Sequence, residues 1–211
     1  TRLLGLIREE LGPDYDMSHF TPRYNPWEER LCLVPDNDMF AAIRAGKVEL
    51  VTDHIESFTE TGVQLASGKH LPADIIVTAT GLNLRIFGGA AISVDGAAVH
   101  SGDLYAYKGC MFSGVPNMIN VFGYTNASWT LRADLINQFA CRLINYMDEY
   151  GLAAVTPRLS GAAAMEERPF VDFSSGYFQR AKHLLPKQTA RAPWKQNQSY
   201  AHDLLDLRFG K

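Results

Sequence analysis

Residues 73–81 read Ala-Asp-Ile-Ile-Val-Thr-Ala-Thr-Gly. Ile75, Ile76 and Val77 follow one another with no polar alternation. A half-buried strand alternates; a run like this predicts a strand covered on both faces, as in a parallel sheet. Parallel neighbours need a long crossover, usually a helix, which points to the α/β class. The run ends in Thr80-Gly81, where glycine permits a tight turn or a close backbone approach to a ligand, and Thr80 adds a hydroxyl.

The flanking residues support this reading. "KVELVTD" at 47–53 alternates and reads as a strand. "HIESFTE", a Thr-Gly turn and "VQLASGKHL" predict an antiparallel hairpin or meander that feeds the run. Further on, "NMINVFGY" at 117–124 reads as a second buried strand, followed by the turn Gly123-Tyr124-Thr125-Asn126. The next segment is the clearest helix: Leu131, Leu135, Phe139, Leu143 and Met147 recur every four residues, flanked by Ile136, Ala140 and Ile144. Ser128 or Asn126 can cap its start, and Gly151 ends it. A shorter helix spans 2–11 and stops at Gly12-Pro13. Another, near 39–46, can be capped from Asp36–Asp38.

Composition bounds the function. Apolar residues make up 46% of 211, enough for a sizeable core. A net charge of −3 with acids and bases interspersed argues against nucleic acid as a partner. No apolar stretch approaches the roughly 18–20 residues of a membrane span, so stable membrane insertion is not expected. Cys32, Cys110 and Cys141 are odd in number and sit among apolar neighbours. They predict buried free thiols in a reducing compartment, hence a cytoplasmic protein. The six histidines lack metal-ligand spacing, so no metal site is expected. Neither GxGxxG nor GxSxG occurs. "GVQLASGKH" is one residue too long for a P-loop and reads as a hairpin. The chain starts at Thr1, inside a helical pattern without a cap, and reads as part of a longer polypeptide.

A meander, a strand ending in Ala-Thr-Gly, a later strand, a turn and a long helix resemble the second half of flavoproteins with two dinucleotide-binding domains. Residues 21–40, "TPRYNPWEERLCLVPDNDMF", resemble the segment of class B flavin-dependent monooxygenases, of the Baeyer–Villiger and flavin-containing type, that carries a catalytic arginine with an aspartate six residues on. Here these are Arg30 and Asp36. The tail "EERPFVDFSSGYFQRAKHLLPKQ…APWKQNQSY" is similar to the ketone- and sulfur-oxidising, ethionamide-activating-like subgroup.

The resemblance implies an α/β fold, the C-terminal part of such a flavoprotein. Residues 1–80 would be the C-terminal part of the NADP-binding domain with its β-meander. Residues 81–211 would be the C-terminal part of the FAD-binding domain plus a tail. The cofactors implied are FAD and NADPH. The reaction implied is insertion of one oxygen atom from O2 into a small-molecule ketone, or onto sulfur, via a peroxyflavin. Alternatives are an enzyme that oxidises nitrogen or sulfur without forming esters, or a non-catalytic remnant serving as an interaction domain. A homo-oligomer stays open. Arg30 is implied as catalytic, with Asp36 either orienting it or capping the following helix. Thr80, Gly81, Ser128, Trp129, Thr130 and Leu131 are implied as cofactor-binding, through a hinge at Thr80-Gly81 and a helix start aimed at the flavin ring. Trp129 can equally line a substrate pocket or fill the core. Trp194, Pro193 and Tyr200 can cover the site or simply pack. The family's glycine-rich loops and its FxGxxxHxxx(W) fingerprint are absent from these residues. The resemblance puts them upstream and implies that this chain alone holds flavin poorly.

Overall fold

The computed structural model describes residues 2–26, 28, 29, 32, 34–161 and 166–210. The chain divides between Thr80 and Gly81 into two compact units. In the first, α1 (Arg2–Leu11) ends where Gly12 takes φ +94°, a conformation that costs glycine little. Helix α2 (Asp38–Arg44) is tied to α1 by Arg44, whose Nη1 donates to Glu10 Oε2 at 2.8 Å and to Glu10 O at 2.6 Å. Asn37 Nδ2 reaches the same carboxylate at 2.9 Å. Asn37, not Asp36, occupies the N-cap position, and no side chain caps the helix.

The antiparallel meander forms as expected: β1 (Ile55–Thr59), β2 (Gly62–Leu65) and β3 (His70–Pro72), in that order, with Phe58 opposite Val63 and Val63 opposite Leu71. Gly62 makes the turn possible. Its φ is +149°, and a Cβ there would sit 2.0 Å from Leu71 O.

Three expected strands differ. Residues 47–53 join no ladder. Neither does 74–80, where Ile75 and Val77 are each 82% exposed. A strand buried on both faces needs a hydrogen-bonding neighbour and cover above and below. The meander's last bond to this segment is from Ala73 N–H to Thr61 O at 3.1 Å, and residues 74–80 join no ladder. Residues 118–123 likewise form no ladder; Asn120 N–H donates to Cys110 O at 2.8 Å instead.

The second unit holds two apolar clusters. One gathers Leu104, Phe112, Phe170, Phe173, Phe178 and Leu185. It is framed by the hairpins β4 (Ile92–Val94)/β5 (Ala97–Val99) and β6 (Ala106–Tyr107)/β7 (Met111–Phe112). The pair β8 (Glu167–Pro169)/β9 (Lys187–Thr189), with α4 (Gly176–Ala181) between its strands in sequence, completes the frame. The other cluster packs Cys110, Met111, Leu135, Ile136, Phe139 and Leu207 between α3 (Trp129–Glu149) and a C-terminal helix, α5 (Tyr200–Asp203), which continues as a π turn over Leu204–Phe209.

Helix α3 matches the expected span. It ends as glycine C-caps do, with Gly151 at φ +62° and Leu152 N–H bonded to Met147 O at 2.8 Å. Its buried face follows the expected stripe at Leu135, Ile136 and Phe139, with Ala140, Leu143 and Met147 half-buried; it departs at Leu131 and Ile144, which are exposed, and at Arg132, which is buried. Of the three free thiols only Cys110 is buried. Cys32 and Cys141 are exposed, which corrects the expectation for those two. Among the described residues no helix is long and apolar enough to cross a membrane.

Candidate functional site

Four of the expected site residues open α3. Side chains on a helix lean toward its N-terminus, so the indole of Trp129 folds back over the preceding turn. A Cβ at Gly123 would lie 2.3 Å from Trp129 Cδ2, so only glycine fits beneath the ring. Phe122 packs tilted against Trp129 at 5.1 Å and edge-on to Phe170 at 5.0 Å, which carries the aromatic contact into the first apolar cluster.

Ser128 occupies the N-cap position but makes no capping bond; its Oγ pairs instead with Thr130 Oγ1 at 2.8 Å. Trp129 and Leu131 are each 43% exposed. The first-turn N–H groups have no partner within the helix and no side-chain cap, and they lie at the positive end of a 21-residue helix dipole. Such an end suits an electron-rich, hydrogen-bond-accepting edge.

One turn into the helix, Arg132 is fully buried. Its Nε donates to Asp203 Oδ2 at 2.9 Å, Nη1 to Phe122 O at 2.9 Å and Nη2 to Lys108 O at 3.3 Å. Burial pushes the Asp203 carboxyl up, and the Arg132 charge opposes that shift. Tyr124, sealed beside this pair, has its phenol pushed above the ordinary range by burial and then by Asp203. Among the described residues its hydroxyl nonetheless has no partner in hydrogen-bond geometry. Lys108, 4% exposed, donates to Asp206 Oδ1 at 2.7 Å and to Asp206 O at 3.1 Å. From the tail, Gln198 Oε1 accepts from Thr125 N–H at 2.9 Å and from Thr125 Oγ1 at 3.1 Å.

Sequence reasoning missed Arg132, Asp203, Lys108, Asp206 and Gln198. Arg132 left a signal: it occupies the first place of a 132, 135, 136, 139 stripe whose other members are apolar. An arginine in such a stripe is either buried with a partner or breaks the pattern. The other four left none.

Gly81 takes φ +115°. A Cβ there would approach Arg180 Nη2 at 3.7 Å, and that nitrogen bonds Leu82 O at 3.1 Å. No described contact joins Gly81 to the α3 start, and Thr80 closes the other unit. Arg30 lies outside the described residues, so its place is set by sequence alone. Trp194 is buried edge-on to Tyr107 at 5.4 Å and packs; Tyr200 is exposed. A separate cleft of about 780 Å³ lies between β8, α4 and β9, lined by Phe170, Phe173 and Phe178 with Lys182, His183 and Lys187 at its rim. Among the described residues no group of His, Cys, Asp or Glu could hold a metal ion.

These residues fit one part of a flavin. The open amides of α3, the two hydroxyls and the aromatic backing of Trp129 and Phe122 suit a planar ring with carbonyl oxygens. A pyrophosphate finds no glycine-rich cradle in the sequence.

The chain is 56% identical over 99% of its length to the FAD-containing monooxygenase EthA of Mycobacterium tuberculosis (strain ATCC 25618 / H37Rv). It is 48% identical over 98% of its length to the probable FAD-binding monooxygenase AlmA of Acinetobacter baylyi. It is 43% identical over 95% to the putative FAD-containing monooxygenase MymA of Mycobacterium tuberculosis. It spans only 42%, 41% and 41% of those proteins, respectively. No family model and no solved structure matches it.

Proposed function

Starting from a chain homologous over nearly all its length to FAD-containing monooxygenases, we propose that it is the C-terminal part of a flavin-dependent monooxygenase whose FAD ring lies against the start of α3. The observation that carries this is the uncapped first turn of α3 over the glycine-aromatic turn. Bound FAD would supply the redox chemistry between NADPH and O2. The residues of this chain bind and orient. The N–H groups of Trp129, Thr130 and Leu131, with the helix dipole behind them, hold the polar edge of the ring and favour negative charge on it. The Ser128 and Thr130 hydroxyls add donors or acceptors beside it. Trp129 and Phe122 exclude water from one side. Thr80 and Gly81 form the hinge between an NADP-binding part, residues 1–80, and an FAD-binding part, residues 81–211. The unladdered runs 74–80 and 118–123 complete their sheets with strands from the remainder of the enzyme. Arg30, in a segment like the family's catalytic one, holds the oxyanion that develops on a carbonyl substrate. A guanidinium does this without titrating and with two-point geometry. Substrates are small ketones or sulfur compounds.

The test is the visible absorbance of the longer protein carrying this chain, purified from cells. Bound flavin with NADPH-dependent bleaching is the expected result. A colourless protein that takes up no added FAD overturns the reading. Residues 1–211 alone should bind FAD weakly, because the pyrophosphate contacts are missing.

A further inference from the structure

Two cations that no expected site uses are buried beneath the start of α3, and both are answered from one short C-terminal stretch. Asp203 meets Arg132 at 2.9 Å and Asp206 meets Lys108 at 2.7 Å. The remaining donors of Arg132 hold the carbonyls of Phe122 and Lys108. Gln198 takes both the N–H and the hydroxyl of Thr125, and its own carbonyl accepts from Asn126 Nδ2 at 3.3 Å. The turn that leads into α3 is therefore held at 122, 125 and 126 from residues 198–206, directly or through Arg132.

The fit is exacting. Lys108 sits at φ +48°, uncommon for a residue with a Cβ. A Cβ at Gly109 would lie 2.3 Å from Arg132 Nη2. Buried ion pairs seldom stabilise better than apolar residues of the same volume. Stability alone does not call for two of them side by side; fixed geometry is what they add.

We propose that residues 198–206 are a positioning element: through Gln198, Asp203–Arg132 and Asp206–Lys108 they set the direction of the 123–128 turn and of the first amides of α3, and so control flavin affinity without touching the flavin. This rests on the flavin reading above and assigns to the C-terminal segment a role that reading does not contain.

Gln198→Leu tests it without removing a charge, and Asp206→Asn tests it while keeping neutral acceptors, the amide oxygen and the Asp206 main-chain carbonyl, for the buried Lys108. In the 211-residue protein, hydrogen exchange of peptides covering 123–131 should speed up, while β4/β5 and β8/β9 keep their protection. Unchanged exchange at 123–131 overturns the proposal whatever flavin does. In the longer protein the same variants should raise the FAD dissociation constant about tenfold or more and shift the visible flavin bands, and in Gln198→Leu, which alters no charge, the apoprotein melting point should be nearly unmoved. Faster exchange with unaltered flavin affinity and spectrum also overturns it, leaving a structural staple. A wild type that binds no FAD defeats the flavin reading itself, which the exchange measurement keeps separate.

Discussion

Arg132 Nε lies 2.9 Å from Asp203 Oδ2, and neither side chain reaches solvent: a helix-start arginine and a C-terminal aspartate, 71 residues apart, neutralise each other inside the protein. Removing either partner alone leaves an unpaired buried charge, which typically costs about 3–5 kcal/mol. Arg132→Met and Asp203→Leu should each destabilise by that order in urea unfolding. The double variant should recover most of the loss, because an apolar pair of similar volume is often neutral. Additive losses would mean that the two groups are not coupled.

The thiols should separate cleanly. Burial pushes Cys110 up to about 12, with Arg132 and Lys108 pulling only partly the other way, so it stays protonated at neutral and mildly alkaline pH. Thiolate is the reactive form. A disulfide reagent at pH 8 should titrate Cys32 and Cys141 in the folded protein and reach Cys110 only after denaturation. Three fast thiols would contradict this.

Stability against acid should draw on Glu167. Hydrogen bonds from Lys187, then from Tyr105, hold its carboxyl below the ordinary value of 4.5. A depressed folded value means that the contribution is present above the unfolded one and is lost as pH falls through the folded one. Melting points of the wild type and Glu167→Gln should differ near neutrality and converge below pH 4.5. The gap should be small, since the pair is solvated. A constant gap down to strong acid would refute the assignment.

Gly123→Ala should displace the Trp129 ring, because a methyl has no room 2.3 Å from Cδ2. Overpacking of this kind costs about 1–3 kcal/mol. A shift in tryptophan emission together with a lower melting point is expected. In the longer protein, weaker FAD binding should accompany them. Wild-type emission would show that the turn relaxes freely.

For Arg30 the expectation concerns chemistry. In the longer protein, Arg30→Ala should lower product formation from a ketone by roughly 100- to 1,000-fold, the usual loss of one preorganised donor to an oxyanion. Reduction of the flavin by NADPH should stay near wild type, since hydride transfer develops no such oxyanion. Arg30→Lys should rescue only in part, lacking the planar fork. Wild-type turnover in Arg30→Ala would make the residue structural, and equal loss of reduction would assign it to cofactor placement or folding.

Local pattern determined what depends on neighbours in the chain. The four-residue recurrence after Ser128 and the glycine at 151 placed α3 within a residue or two. The Thr-Gly turn at 61–62 placed the β1/β2 hairpin, because turn chemistry and periodicity act over a few residues. The apolar run at 74–80 was equally legible as a strand in want of cover, but its ladder depends on partners that no local pattern supplies, and among the described residues there are none. The inward stripe of Leu135, Ile136 and Phe139 was legible too; only the tertiary structure decided which residue heads it. Leu131 looked like the first buried position, yet Arg132 takes it, because Asp203 and two backbone carbonyls give each of its three guanidinium nitrogens a partner at once. The residues that make that possible stand 24 and 10 positions before Arg132 and 71 after it. Burying a charge is favourable only when all its partners arrive together, and that meeting is a property of the folded chain, not of any segment within it.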